Sequence, residues 1–139
     1  MKSGYLTLTT HRGHPGLVRA RIQDTLPDLK RQEDGSDIRY MARFKDTEAA
    51  LMHVQNAMHT ALIDLEDRIY RKSLTEMIAC VEADILDHER VWIDPELDEQ
   101  ERGQIESLTK QRVKWHQRTD RIWQGVGFLA LLLLLLTSL

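Results

Sequence analysis

Residues 122–139 contain no charged side chain and include six consecutive leucines, Leu131 to Leu136. As a helix, this stretch would be about 27 Å long, close to the roughly 30 Å hydrocarbon core of a bilayer. A leucine block is apolar on every side of a helix, which fits lipid or a fully enclosed position better than the one-sided surface of a soluble domain. The stretch is therefore read as a single C-terminal transmembrane helix, a tail anchor with everything before Ile122 on one side of the membrane. Trp123 is placed at the headgroup level that indole prefers, and Trp115 could serve there too. Gly125 and Gly127 could bend the helix or let a second helix approach closely.

Charge is distributed in blocks. Residues 1–45 carry a net charge of +4, residues 46–103 a net of −10 and residues 104–121 a net of +3, within a chain of net charge −3. The basic set next to the apolar stretch is Lys110, Arg112, Lys114, Arg118 and Arg121. With Trp115 and Trp123 it forms the expected membrane interface. By the positive-inside rule this flank stays cytoplasmic, and residues 1–15 hold no apolar run long enough for a signal peptide. The expected localisation is a single-pass membrane protein with a cytoplasmic N-terminal domain.

Three alternating runs open the chain. In Tyr5 to Thr10, Leu6 and Leu8 share a face; in Leu17 to Gln23, Val18, Ala20 and Ile22 oppose Arg19 and Arg21. In Asp37 to Phe44, Ile38, Tyr40, Ala42 and Phe44 oppose Arg39 and Arg43. The segment His11 to Gly16 reads as a turn and Asp24 to Ser36 as a polar loop. These runs predict a small antiparallel sheet with one apolar face and one arginine-rich face. From Asp46 the pattern becomes helical. One apolar stripe runs through Leu51, Val54, Met58, Leu65 and Ile69, and a second through Leu74, Met77, Val81, Ile85 and Trp92. The stripes fall out of phase near Arg71 to Ser73, which predicts a kink or stutter there. Asp64–Arg68 and Asp67–Arg71 read as i,i+4 ion pairs on the wet side. Asp94-Pro95 reads as a helix restart, N-cap followed by proline at the first position.

The expected fold class is α+β: a three-stranded antiparallel sheet (1–45), a long helix (46–93), an amphipathic juxtamembrane helix (94–121) and the transmembrane anchor (122–139). A tight hairpin of the two helices would lay the anchor beside His53, Gln55, Asn56 and His59, which do not belong in lipid. The last helix is therefore expected to diverge from the head.

Chemical motifs are sparse. His11 and His14 flank a turn, and Asp84 and His88 are spaced i,i+4, but two ligands without a third make no zinc site. His53 and His59 point to different helix faces. No Glu-x-x-His pair suggests a di-iron bundle, and no axial ligand for haem lies in the apolar stretch. Cys80, the single cysteine, sits in a helical pattern and reads as a buried reduced thiol. Walker, dinucleotide and zinc-finger spacings are absent. No catalytic residue, metal or cofactor is therefore expected.

The most suggestive soluble feature is the arginine face of Arg19, Arg21, Arg39 and Arg43, which suits an acidic protein partner or an anionic surface. The aromatics Tyr40 and Phe44 fall on the opposite face, which argues against nucleic acid, whose bases stack on exposed rings. The expected function is a non-catalytic, tail-anchored accessory subunit or adaptor of a membrane protein complex. A self-assembling homo-oligomeric scaffold and a histidine/carboxylate metal- or ligand-binding module are the alternatives.

Overall fold

The computed structural model describes residues 1–30 and 35–138. Part of the expected Asp24–Ser36 loop, residues 31–34, lies outside the described residues. The three alternating runs form strands β1 (Gly4–His11), β2 (His14–Gln23) and β3 (Ser36–Phe44). β1 is central, antiparallel to both neighbours, with Leu8 opposite Ala20 and Tyr40. Gly4 is required by close approach: a Cβ there would lie 2.5 Å from the Gln23 carbonyl oxygen.

Among the described residues the sheet has six strands, not three, and the expected long helix over 46–93 is not formed. Helix α1 (Thr47–Ala57) begins where the sequence placed it, with the Asp46 carboxylate accepting from the Ala49 N–H at 3.1 Å. A 3-10 turn, His59–Ala61, ends it, and a short hairpin follows, β4 (Leu62–Asp64) and β5 (Ile69–Arg71). Asp64 accepts from the Asp67 N–H at 2.9 Å, and Arg68 turns the chain with a positive φ of 56°. These local bonds replace the expected helical pairs: Asp67 instead meets Arg19 of β2 at 3.5 Å. The break between the two apolar stripes is thus a hairpin plus a fresh helix start. Helix α2 (Leu74–Glu82) is capped by Ser73, whose hydroxyl accepts from the Glu76 N–H and donates to its carboxylate.

Strand β6 (His88–Ile93) occupies what the sequence assigned to the end of the helix. It contains Val91, Trp92 and Ile93, all residues that favour strands. All pairings are antiparallel, in the order β4-β5-β2-β1-β3-β6. The Asp94-Pro95 restart is also displaced. Asp94 closes a turn, accepting from the Glu96 N–H at 2.9 Å. The last helix, α3 (Glu99–Thr137), is capped by Asp98 in a reciprocal capping box with Glu101.

Helices α1 and α2 pack on one face of the sheet, and α3 packs on α2. Leu6, Leu8, Val18, Ala20, Tyr40 and Phe44 from the sheet meet Leu51, Val54 and Met58 from α1 and Met77, Ile78 and Val81 from α2. From α3 only Ile105 is buried; beyond Arg112 the helix is exposed, apart from partial cover at Thr119. The divergence expected of the last helix is what the structure has. α3 runs for 39 residues, about 58 Å, and its apolar end is long and apolar enough to cross a membrane, with none of the most apolar window buried.

Candidate functional sites

The strand register fixes what lies on the helix-free face. Thr7 stands opposite Arg21 and Met41, and Met41 opposite Trp92. Tyr5 stands opposite Gln23 and Arg43, and Arg43 opposite Glu89. Because side chains alternate across a strand, Arg19, Arg21 and Arg43 share this face as expected, and Tyr40 and Phe44 are in the core. Two aromatics, Tyr5 and Trp92, nevertheless occupy the arginine side. Trp92 was hidden while its segment read as helix.

Arg39 leaves the set. A register shift between Leu8 and Thr9 interrupts the alternation beside it. Its guanidinium donates to the carboxylate of Asp94, only 10% exposed, and to Thr10 Oγ1 at 3.3 Å. Arg39 is thus an internal tie between β3 and the turn after β6. Arg19 is half-neutralised by Asp67. Among the described residues no carboxylate pairs with Arg21 or Arg43. Arg21 and Arg19 line a cavity of about 440 Å³ together with Thr9, His11, His14 and Ser36. The His11 and His14 rings lie 5.1 Å apart, and His11 Nδ1 accepts from the Gly13 N–H at 3.0 Å. No group of three or more histidine, cysteine or acidic side chains is placed to hold a metal ion among the described residues.

The other histidine pairings read from sequence separate. Asp84 lies beyond the end of α2 and bonds His53 Nδ1 of α1 at 2.9 Å and the Leu86 N–H. His88 stacks on Phe44 at 4.8 Å, with its Nδ1 against the Leu86 carbonyl. His59 turns to the Asn56 carbonyl. The His53–Asp84 contact joins residues 31 apart, a distance at which helical spacing gives no signal.

That contact lies in a second groove of about 410 Å³ at the root of α3, lined by His53, Asn56, Cys80, Asp84, Arg112 and His116. Burial pushes the Cys80 thiol above its ordinary value, with Asp84 adding to the rise and Arg112 opposing it. The thiol is buried, as expected, and held in its protonated form. Beyond the groove, Lys110 pairs with Glu106 at 2.9 Å, while Lys114, Trp115, Arg118, Arg121 and Trp123 are exposed. The helix passes Gly125 and Gly127 without a break, and a Cβ on either would meet nothing.

No family model matches the chain, and no curated protein or solved structure matches it either. Its functional reading therefore rests on its own geometry: a mixed head with one helix-free cationic face, and an exposed apolar helix leaving it.

Proposed function

We propose that this chain is a membrane-anchored, non-catalytic accessory subunit or adaptor. Its last helix crosses the bilayer, and its head docks an acidic protein partner on the helix-free sheet face. The observation that supports this most is the apolar end of α3, which has no cover among the described residues. Leaving that much apolar surface in water is unfavourable at about 25 cal/mol per Å², so lipid or other membrane helices are its natural surroundings. The basic flank around Arg112, Lys114, Arg118 and Arg121 supports a cytoplasmic head, by the positive-inside rule. On the head, Arg21 and Arg43 supply charge that no carboxylate among the described residues pairs with.

The test is purification of the full-length protein in a gentle detergent, with the mass and protein content of the resulting complex measured. The reading expects stoichiometric larger membrane proteins, lost from the double variant Arg21→Glu/Arg43→Glu while the variant stays in the membrane fraction. Recovery of the protein alone as a discrete oligomer would instead support the self-assembling scaffold, with Gly125 and Gly127 as the residues to substitute.

A further inference from the structure

The cavity of about 440 Å³ on the helix-free face gathers polar side chains from all three long strands. Arg19 and Arg21 enter it from β2, two residues apart and so on one side of the strand. Thr9 lines it from β1, Ser36 from the start of β3 and His14 from the start of β2. Among the described residues, the Arg21 guanidinium, the His14 ring nitrogens and the Thr9 and Ser36 hydroxyls have no hydrogen-bond or ion-pair partner. Arg19 is shared with Asp67 at 3.5 Å, a carboxylate on the rim whose side chain is 59% exposed.

The donor set selects the ligand. One guanidinium satisfies a carboxylate through two parallel N–H bonds. Arg21 does that alone, which leaves Arg19, the imidazole and both hydroxyls unused. A phosphoryl group carries a charge of about −1.5 to −2 and three acceptor oxygens. It therefore matches two guanidiniums flanked by hydroxyl and ring N–H donors. The surrounding face selects the source. Arg43 lies two strands from Arg21 and two residues further along, about 12 Å by strand spacing and rise. An extended chain covers that span in three or four residues, roughly 3.3 Å each. A protein segment reaches both places, whereas a small phosphorylated molecule in the cavity leaves Arg43 bare.

We infer that this cavity binds a phosphorylated serine or threonine of the partner protein, held by Arg21, Arg19, Thr9, Ser36 and His14. An acidic residue three or four positions away then lies against Arg43. This rests on the reading of the helix-free face as the surface for an acidic partner, and it makes that docking conditional on phosphorylation of the partner. Asp67 competes with the phosphoryl group for Arg19.

The test titrates the full-length chain in detergent micelles with an acidic peptide carrying one phosphoserine, with glutamates three and four positions to either side. The ring resonances of His14 are followed by NMR and should shift and saturate. Arg21→Gln, at an exposed position, should weaken the binding about tenfold, as expected for loss of a charge-assisted hydrogen bond. Asp67→Asn frees Arg19 and should tighten it by up to about fivefold, the range of an exposed ion pair. Arg43→Gln should weaken the phosphopeptide and leave inorganic phosphate unchanged. Serine or glutamate forms of the peptide that bind as tightly as the phosphopeptide overturn the phosphoryl assignment and leave the acidic-partner reading standing. Inorganic phosphate that binds as tightly, or Arg43→Gln without effect on the phosphopeptide, overturns the protein source in favour of a free phosphorylated molecule. Arg21→Gln without effect, or weakening by Asp67→Asn, overturns the site. Absence of any His14 shift overturns this proposal alone, because the acidic-partner reading is tested separately by the larger membrane proteins that co-purify and are lost from Arg21→Glu/Arg43→Glu. Their absence overturns that reading, and this proposal with it.

Discussion

Tyr70 is fully buried, and its hydroxyl has no hydrogen-bond partner among the described residues. Burial, with a smaller effect from Cys80 and an opposing one from Arg68, holds its pKa above the ordinary phenol value. A buried unsatisfied hydroxyl costs stability, so Tyr70→Phe should leave the protein as stable or stabilise it by about 1 kcal/mol in urea unfolding. A clear loss would show that the hydroxyl has a partner. Arg39 is the opposite case. Arg39→Ala strips Asp94 of its cation in a nearly buried position, and the same measurement should show a loss of about 2 kcal/mol. Sequence alternation placed Arg39 with Arg19, Arg21 and Arg43, because nothing in a strand pattern marks a register shift. A period of two reads faces correctly only where pairing is regular.

At the scale of elements, β1, β2 and β3 were legible because each has seven or more paired residues, enough for a period of two to show despite the register shifts, and a turn separates the first two. The segment 46–93 was not. Strands β4 and β5 have three residues each, too few to show a period of two, and their leucine and isoleucine positions fall on a helical spacing by coincidence. Ser73 and Glu76 were the available signal, a capping pair ahead of an apolar run that marks a new helix rather than a continued one. Burial of Glu76 works to raise its pKa, but the Ser73 hydroxyl and Lys72 outweigh it and hold the carboxylate below its ordinary value. Its folded pKa is therefore below the unfolded one. The stability it contributes is present above the unfolded value and is lost as pH falls through the folded value. The stability difference between wild type and Glu76→Gln should accordingly shrink as pH is lowered through about 4 and below. A difference that does not change with pH would contradict the ion pair and cap as its source.

For the molecule as a whole, the apolar end of α3 was the plainest signal in the sequence, since an uninterrupted apolar run needs no partner to be recognised. The groove at its root was invisible there, because it joins residues from α1, the end of α2 and α3. The central claim is that α3 carries the head to a bilayer. The three tryptophans sample this directly: Trp92 in the sheet, Trp115 on the exposed helix and Trp123 at the start of the apolar run. The decisive measurement is fluorescence quenching by brominated phospholipids in vesicles, with single-tryptophan variants of the full-length protein. The account predicts strong quenching of Trp123 by bromine near the headgroups, weak quenching of Trp115, which is about 12 Å further along the helix, and none of Trp92. Equal and absent quenching of all three would contradict it.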